Sequence, residues 1–594
     1  MVGDRRSAAL VAADGTVDWL CLPDYDGAAI FGALLDPGLG GFCRFGPAEV
    51  AFGRQRYAPN SATLLTTWAS PAGELELSDA MAWPWDERGG ADGGEDARVL
   101  IRRLRCLRGE VDAVLSLRPR DDFDRAPTVS PLLSGALFDL GAVGLRLWAS
   151  RPVSLDAAGA ASTFRLRAGE EAWCVLAAGD DRGTWSAGRA REELARADGY
   201  WRRWLDDLAY DGPRRELVRR SALTIHLQSF APTGSPVAAP TTSLPERIGG
   251  DRNWDYRYSW VRDASLVLAI LTQFGQTRAG ERYMDCLTTY PTSTDSPLQI
   301  VYGVDGRTDL PERTRADLRG YRASRPVRTG NRACGQRQLD SLGFFVECAF
   351  VYLEAGGAWR DRYWDAVRRA ADYTLDHWRA PDSGIWEASA QEHYVSSKVM
   401  SWVALDRAVK IAERTGHGGE VDGWRGAMTA IRAEVLERGW STRAGAFVQR
   451  YGSDALDASA LLIPVMGFLP ADDPRSLATA DRIAARLGID GLVHRYVAAE
   501  TPGHAEDALP VGEFEGAFLP CCFWLATVYA RSGRRAEAEA ILDRVEATAG
   551  ELGLFAEEID ARDGHFLGNS PLLFSHAEYL RACMALADPE RGRG

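Results

Sequence analysis

The sequence predicts a two-domain protein with an N-terminal antiparallel β domain and a C-terminal helical domain. Its 594 residues exceed what one hydrophobic core usually serves. Short runs with strand-like alternation fill the first part, and apolar residues recur at helical spacing from about residue 213. We therefore expect a β-sandwich over residues 1–186, a linker helix over 187–212 and a helical domain over 213–594.

Strands in the N-terminal domain are predicted from short runs that alternate or are rich in β-branched residues. Glycine, proline and aspartate stand between these runs and indicate turns. The runs are FCRFG, TLLTTWAS, VLIRRLRCL, AVLSLRPR, LRLWAS, STFRLRA and AWCVLAAG. Many short strands separated by turns are typical of an antiparallel sandwich.

Helical spacing begins in the linker and continues to the end of the chain. In REELARADGYWRRWLDDL the apolar and aromatic residues can share one side of a helix: Leu194, Tyr200, Trp201, Trp204, Leu205 and Leu208. Further helices are predicted at roughly 214–229, 261–275, 277–290, 335–355, 359–378, 396–415, 421–438, 473–487, 515–532, 534–548 and 571–586. This number of helices, with long polar and aromatic loops at alternate connections, favours an (α/α)6 barrel. The alternatives are a generic helical domain or a solenoid, although no clean repeat is present.

Net charge, the N-terminal sequence and cysteine spacing limit the binding partners and the cellular location that we expect. A net charge of -14 argues against nucleic acid and anionic membranes, and is compatible with a neutral ligand such as a sugar. The start, MVGDRRSAAL, lacks the apolar region of a signal peptide, and no apolar stretch is long enough to span a bilayer. The ten cysteines lack CxxC spacing, which favours reduced thiols. We expect a cytoplasmic protein, and a homo-oligomer stays open.

Four loops combine the residue types that a sugar site requires. Aromatic faces stack on pyranose C–H groups, while carboxylates, amides and arginines bind the hydroxyls. The first loop, GGDRNWDYRYSWVRDAS, contains Trp254, Trp260, Arg262 and Asp263. So many aromatic and charged residues leave little room for simple core packing. The alternative is a polar seam between domains.

The second loop, SGIWEASAQEHYVSSK, places Trp386 beside Glu387. An indole wall would desolvate the carboxyl, raise its pKa and keep it protonated, as a general acid requires. Lys398 begins the helix that follows and is one of only two lysines in the chain. It is a candidate for substrate binding, and a surface lysine is the alternative.

The third and fourth loops supply an arginine and a cluster of acids. Arg495 in LVHRYVAAETPG is a candidate for binding hydroxyls, whereas Glu515 in GEFEGAFLPCCFW is equally explained as a charge at a helix N-terminus. The fourth loop, LGLFAEEIDARDGHFLGNSPLLFSH, contains Glu557 and Glu558 between an apolar lead-in and an apolar helix. A solvated acidic turn is the alternative for this cluster.

Other kinds of chemistry find no support in the sequence. It contains no HExxH, no GxSxG and no Walker loop. Its eight histidines are not spaced as metal ligands. We therefore expect neither a catalytic metal nor a cofactor.

At these loops the sequence resembles glycoside hydrolase family 15, the glucoamylase and bacterial trehalase family. The stretch SAALVAADGTVDWLCLPDYDGAAIFGALLD resembles the trehalase-like N-terminal domain. The remaining matches occur in the family's order, nearly to the end of the chain. They are IGGDRNWDYRYSWVRDAS, VYGVDGRTDLPE, GYRASRPVRTGN, GQRQLD, SGIWE, SKVMSWVALDRAV, EGAFLPCCFW, AEEID and GNSPLLFSH.

The resemblance implies a fold and an activity. The fold is an N-terminal β super-sandwich, a linker helix and an (α/α)6 barrel. The activity is inverting release of glucose from the non-reducing end of trehalose or of α-gluco-oligosaccharides, without a cofactor. The glutamate of the family's WE pair, the general acid, falls on Glu387, and the general base falls on Glu557. Glu558 has a weaker claim to the second role.

The resemblance also implies residues that bind the terminal glucose. The family's RD pair falls on Arg262 and Asp263, and the arginine of its RY pair falls on Arg495. The aromatic walls of the pocket are expected to include Trp254, Trp260 and Trp386.

The sequence departs from the family pattern at two places that concern which leaving group is accepted. Relatives often carry arginine where this chain has Ser389, and often read GNFPQAFSH where it reads GNSPLLFSH. The choice between a trehalase and a glucoamylase or isomaltose-type α-glucosidase therefore stays open. A glycoside phosphorylase and a non-catalytic sugar-binding protein are further alternatives, against which the two intact glutamates argue.

Overall fold

The chain divides into two compact units. The computed structural model describes residues 1–83, 97–141, 143–179, 183–290, 296–502 and 509–589. The first unit comprises Met1–Asp207, His226–Pro232 and Arg315–Val327, and the second comprises Leu208–Ile225, Thr233–Thr314 and Arg328–Gly594. The first unit is thus larger than the predicted β domain, because it includes a helix and two short segments from later in the chain.

The first unit is built on antiparallel strands. The short runs of β-branched and alternating residues become strands, with buried side chains on the faces that form the core. Within the described residues the strands are β1 (Val2–Gly3), β2 (Ala8–Val11), β3 (Thr16–Leu22), β4 (Ala28–Phe31), β5 (Phe42–Pro47), β6 (Arg54–Tyr57), β7 (Leu64–Ala69), β8 (Gly73–Met81), β9 (Arg98–Arg118), β10 (Thr128–Leu132), β11 (Gly135–Asp139), β12 (Gly144–Ala149), β13 (Ser154–Asp156), β14 (Gly159–Arg167) and β15 (Glu171–Ala178).

Strand β9 connects the two halves of this strand network. Its first half pairs with β8 and β15, and its second half pairs with β5 and β14. The runs VLIRRLRCL and AVLSLRPR, predicted as separate strands, are both parts of β9. Gly109 lies between them with a φ of +74°, a conformation that glycine adopts without steric cost. The glycine therefore redirects the strand without ending it.

The predicted linker helix is α1 (Ala187–Asp206), which packs on the strands of the first unit. Ser186 caps its N-terminus by accepting a hydrogen bond from the backbone N–H of Arg189. Trp201 is buried, and the ring of Tyr200 stacks on Trp83 with centroids 3.4 Å apart. The apolar side of α1 thus covers the β unit, and the helix ends at Asp206, before residue 212.

The second unit is helical. Its helices are α2 (Arg215–Gln228), α3 (Val261–Gln273), α4 (Thr277–Leu287), α5 (Asp340–Glu354), α6 (Asp361–His377), α7 (Val395–Thr415), α8 (Val421–Arg438), α9 (Leu462–Val465), α10 (Pro474–Leu487), α11 (Leu519–Arg531), α12 (Arg535–Ala549) and α13 (Leu573–Ala587). None of the helices in the described residues is long and apolar enough to cross a membrane. The predicted segments agree with these bounds to within a few residues, except that α9 was not predicted.

Two kinds of helix alternate along the second unit. Helices α3, α5, α7, α11 and α13 bury most of their residues, whereas α4, α6, α8, α10 and α12 bury one side. The buried helices contact one another in chain order, α9 contacts both α7 and α11, and α13 contacts α3. The buried helices therefore form a closed series, and the amphipathic helices pack against it.

Candidate active site

A cavity of about 330 Å³ lies in the helical unit, next to the segments that precede its buried helices. Each candidate loop from the sequence ends where one of these helices begins, at α3, α7, α11 or α13. Eight of the nine predicted site residues line this cavity: Trp254, Trp260, Arg262, Asp263, Trp386, Glu387, Arg495 and Glu557. Ser389, the departure from the family pattern, lines it as well.

Glu387 presents its carboxyl to the cavity between an indole and a guanidinium. The indole N–H of Trp260 donates to Glu387 Oε1 at 2.7 Å, and Arg262 Nη1 and Nη2 lie 3.4 Å from the same oxygen. Burial raises the pKa of Glu387, while the positive charge of Arg262 opposes this shift. The carboxyl therefore holds its proton to higher pH than an exposed glutamate, as a general acid requires.

The backbone of Glu387 has an unusual conformation. Its φ is +57°, in the left-handed region that costs an L-residue roughly 1–2 kcal/mol. The peptide groups on both sides of its Cα are held, because its N–H donates to Gly384 O at 3.2 Å and its carbonyl accepts from Gln336 Nε2 at 3.0 Å. Strain of this kind is concentrated at functional sites, where the surroundings enforce it.

Glu557 is buried and accepts two hydrogen bonds. Tyr256 donates its hydroxyl to Oε1 at 2.6 Å, and the backbone N–H of Asn569 donates to Oε2 at 3.1 Å. Burial and the carboxylate of Glu246 raise the pKa of Glu557 to about 8, and the two donors oppose that shift because they favour the ionised form. The hydrogen bonds fix both oxygens in place.

The two carboxyls are connected through a pair of aromatic rings. Trp260, which donates to Glu387, meets the ring of Tyr256, which donates to Glu557, edge to face with centroids 5.5 Å apart. Both aromatic side chains come from the first loop. One short segment thus sets the positions of two glutamates that are 170 residues apart in the sequence.

Arg262 and Asp263 lie in the first turn of α3. Arg262 Nε donates to Asp263 Oδ1 at 2.7 Å, and Arg262 Nη1 donates to Ile385 O at 2.9 Å. An acidic residue in the first turn is stabilised by the helix dipole. The pair therefore presents a fixed cation and a fixed anion to the cavity, which suits the binding of sugar hydroxyls.

Arg495 lies at the centre of a buried acidic cluster. Its Nη2 contacts Glu246 at 2.7 Å, Glu515 at 2.5 Å and Glu558 at 3.0 Å, and its Nε donates to Glu515. The three carboxylates are close enough together to hold a metal ion, but the guanidinium of Arg495 already supplies a positive charge to all of them. Arg252 adds a second cation.

This cluster distinguishes between the two adjacent glutamates of the fourth loop. Glu558 is bound by Arg495 and by the backbone N–H of Gly516, and it does not line the cavity. Glu557 does line it. The geometry therefore favours Glu557 over Glu558 as the residue that acts on a ligand, and it gives Glu515 a role in holding Arg495.

The two remaining tryptophans line the cavity but are anchored by other carboxylates. Trp386 donates its indole N–H to Asp457 at 2.9 Å, and Trp254 donates to Glu246 at 3.1 Å. The guanidinium of Arg328 stacks on Trp254, 4.4 Å from the ring centroid. Trp386 therefore does not hydrogen-bond the Glu387 carboxyl beside it in the sequence, and Trp260 fills that role.

Lys398 is the predicted site residue that the structure does not bring to the cavity. Its side chain is fully buried, and Nζ donates to Trp378 O at 2.6 Å and to Ala380 O at 2.7 Å. Burial lowers its pKa to about 8, and Asp382 opposes this shift. Lys398 thus binds the chain after α6, and its contacts give no support to direct substrate binding.

Several residues of the site were not singled out from the sequence. Tyr256 is one of four aromatic residues in the first loop, and nothing in the local sequence indicated its hydrogen bond to Glu557. Glu246 and Gln336 belong to segments without an aromatic motif. Their contacts are formed only when the chain folds, so local sequence could not reveal them.

The chain is similar to known proteins along nearly its whole length. The family Glycosyl hydrolases family 15 matches residues 212–584, and the family Trehalase-like, N-terminal matches residues 1–163. The chain is 36% identical to a trehalase of Mycolicibacterium smegmatis, covering 98% of this chain and 89% of that protein. It is 33% identical to a trehalase of Thermoplasma volcanium, covering 99% and 93%.

The structure also resembles a solved one. A bacterial glucoamylase complexed with acarbose superposes with a TM-score of 0.71 at 13% identity, covering 99% of this chain and 94% of that chain. The likeness supports a fold with an N-terminal β domain and a helical C-terminal domain. From the family match and the near full-length relatives, the chain belongs to glycoside hydrolase family 15.

Proposed function

We propose that this glycoside hydrolase releases glucose from the non-reducing end of a small α-glucoside with inversion, and that its substrate is trehalose. One observation carries the proposal. Two glutamates face one cavity in different surroundings, with Glu387 between an indole and a guanidinium and Glu557 beneath a phenol and a backbone N–H. Pairs of titratable groups in contrasting environments are characteristic of acid–base catalysis.

The two glutamates have complementary roles in this mechanism. Protonated Glu387 donates its proton to the glycosidic oxygen as the bond to the anomeric carbon breaks. Glu557, when ionised, accepts a proton from a water molecule, whose oxygen bonds to the opposite face of that carbon. Because the pKa of Glu557 is raised to about 8, the ionised fraction that can act as base increases with pH. An inverting pair leaves room for the water with its carboxyls roughly 6.5–9.5 Å apart.

The terminal glucose is bound by the charged and aromatic lining of the cavity. Arg262 and Asp263 bind its hydroxyls, and Arg495 orients the carboxylates behind them and contributes to the same wall. The indoles of Trp254, Trp260 and Trp386 provide apolar surface for the sugar ring.

Two observations favour trehalose as the substrate: the volume of the cavity and the activity of the relatives. The cavity of about 330 Å³ is at the lower end of the roughly 300–1,000 Å³ typical of ligand pockets, which favours a short substrate. The relatives from M. smegmatis and T. volcanium are trehalases, and their similarity to this chain covers nearly its full length. Ser389, which lines the cavity in place of an arginine, is a candidate for contacting the leaving glucose.

We also propose a specific architecture for each of the two units. The closed series of buried helices and its amphipathic partners fits an (α/α)6 barrel, and the strands joined by β9 fit a β super-sandwich. We propose a division at residues 1–186, 187–212 and 213–594, with catalysis in the last part. The helix of the middle part packs with the strands, so it belongs physically to the β unit.

The test is a substrate panel followed by analysis of the first anomer. Glucose release is measured from trehalose, maltose, isomaltose and maltodextrin, and we expect the highest kcat/KM on trehalose. Proton NMR during early turnover of trehalose should show β-glucose and α-glucose in equal amounts, because only the attacked centre inverts. Early formation of α-glucose alone would refute inversion, and release of glucose 1-phosphate in phosphate buffer would show a phosphorylase.

A further inference from the structure

A chain of two glutamine side chains links Arg262 to the peptide of the general acid. Arg262 Nη1 lies 3.4 Å from Gln338 Oε1, Gln338 Nε2 donates to Gln336 Oε1 at 2.9 Å, and Gln336 Nε2 donates to Glu387 O at 3.0 Å. Gln338 is buried and Gln336 lines the cavity. Both belong to the GQRQLD segment before α5, to which the mechanism above gives no role.

The direction of this chain is fixed at both ends. A guanidinium can only donate hydrogen bonds, and a peptide carbonyl can only accept them. Gln338 must therefore turn its oxygen to Arg262, and Gln336 must turn its amide nitrogen to the carbonyl of Glu387. A chain aligned in one direction polarises each of its hydrogen bonds, which strengthens the last one.

This series of hydrogen bonds ends at the backbone carbonyl of Glu387, a residue with a left-handed φ. A return of φ to the ordinary range rotates Glu387 about its N–Cα bond. Because the N–H of Glu387 is held by Gly384 O, that rotation would carry its carbonyl away from Gln336. The loop around it is closed by backbone hydrogen bonds between Asp382 and Glu392 and by the N–H of Ala388 on Ser383 O. The two bonds between Asp382 and Glu392 hold the ends of the loop. At its tip, the peptide after Glu387 is held by Ser383 at its N–H and by Gln336 at its carbonyl.

We infer that Gln336, oriented by Gln338, is a positioning residue that holds the peptide of Glu387 so that its carboxyl reaches the glycosidic oxygen. The inference rests on the proposed function, in which Glu387 is the general acid. Gln336 does not transfer a proton itself. Its effect is limited to the step that needs a proton, namely departure of the leaving group.

This limit gives a test that a merely structural role would not pass. α-Glucosyl fluoride occupies the same glucose site but releases fluoride, which needs little help from an acid. For Gln336→Met, we expect kcat on trehalose to fall about tenfold with little change in KM, the scale of one hydrogen bond left unmade. Turnover of α-glucosyl fluoride should stay close to that of the unmodified enzyme. Gln391→Met is the matched control, since Gln391 is exposed in the same loop.

A second substitution adds a dependence on pH. In Gln336→Glu the new carboxyl donates to Glu387 O only when protonated, so the loss of kcat on trehalose should shrink as the pH falls. Gln336→Met should show the same deficit at every pH. Gln391→Glu, which adds the same charge to an exposed position, should behave like the unmodified enzyme.

The outcomes separate this inference from the proposed function. Equal losses on trehalose and on α-glucosyl fluoride, or no loss on trehalose, would overturn a positioning role for Gln336. If the unmodified enzyme hydrolyses neither substrate, the proposed function itself fails. Circular dichroism and thermal unfolding of each variant identify any loss that comes from misfolding.

Discussion

A single glycine sets the position of the proposed general base. Gly568 has a φ of +68°, and a Cβ atom at this residue would lie 2.3 Å from Glu557 Oε2. Side chains do not approach so closely, so the carboxyl would have to move. The absence of a side chain at residue 568 is therefore part of the geometry of Glu557.

Gly568→Ala tests this dependence. We expect a fall in kcat of about 10²-fold, because displacement of a catalytic group by about 1 Å has effects of that size. Gly564→Ala is the matched control, since its φ of +76° imposes similar strain and its Cβ would meet only Thr548, at 3.8 Å. Both variants should lose about 1–2 kcal/mol of stability, and only Gly568→Ala should lose activity. Comparable activity in the two variants would contradict the role of Gly568.

At the residue scale the sequence brought forward side chains that line the cavity, but not the partners that hold them. It correctly indicated that an indole would adjoin Glu387 and that burial would raise the pKa of this residue. It favoured Trp386, the neighbour in sequence, whereas the indole is that of Trp260. The left-handed backbone at Glu387 sends adjacent side chains to different partners, and no local pattern encodes that geometry.

At the scale of elements, the loop between α6 and α7 holds the proposed acid and is anchored by Lys398. This lysine, in the first turns of α7, donates to two carbonyls in the chain after α6. It therefore ties the start of the loop to the helix at its end. These contacts join the two ends of the loop that carries Glu387.

The chain's two lysines make a matched pair for testing this anchor. Lys398→Met would leave one buried and one part-buried carbonyl without their donor, and we expect a loss of at least about 2 kcal/mol in the free energy of unfolding. Lys410→Met removes a part-exposed ion pair with Asp406 on the same helix, and should change stability by less than about 1 kcal/mol. Urea unfolding measures both changes. Similar small losses in the two variants would argue against the anchor.

Helices with a regular spacing of apolar residues were predictable, whereas elements that depend on tertiary contacts were not. The amphipathic and fully buried helices agree with their predicted positions to within a few residues. Helix α9 was missed because it is four residues long, contains Pro464 and follows a 3₁₀ turn at Ala458–Leu461. Strand β9 was divided into two because Gly109 resembles a turn residue, although the strand continues through it.

At the scale of the whole molecule, the charges around Glu557 are gathered from segments far apart in the chain. Glu246 precedes α3, Arg495 and Glu515 precede α11, and Glu558 precedes α13. Only the closed series of helices brings them together. The carboxylate of Glu246 raises the pKa of Glu557, so the long-range fold controls the pH at which the proposed base is ionised.

This control predicts a shift in the pH dependence of kcat/KM. Activity is lost as the pH falls through the pKa of the base, because protonated Glu557 cannot accept a proton from water. Glu246→Gln removes a negative charge and lowers the pKa of Glu557. The low-pH limb of the kcat/KM profile should therefore move to lower pH. Glu515→Gln, in the same cluster on Arg495, should move it less. A limb that stays in place in both variants would show that Glu246 does not tune the base.

The organisation of the whole chain was only partly predictable. The change from strand to helix patterning was visible in composition and period, but the return of His226–Pro232 and Arg315–Val327 to the first unit was not. Those segments lie within the part of the sequence where helical spacing dominates. Their placement depends on packing between residues hundreds of positions apart, which a local pattern does not record.

The left-handed backbone at Glu387 has a consequence for how this enzyme can evolve. A glycine at residue 387 would adopt the same φ without the cost of roughly 1–2 kcal/mol that a side chain imposes. The same exchange would delete the proposed proton donor. As far as backbone conformation decides, selection for heat resistance therefore favours glycine at this position, while selection for growth on the sugar preserves the glutamate. Stabilised libraries of this protein consequently need position 387 held constant, or screening on turnover at every round.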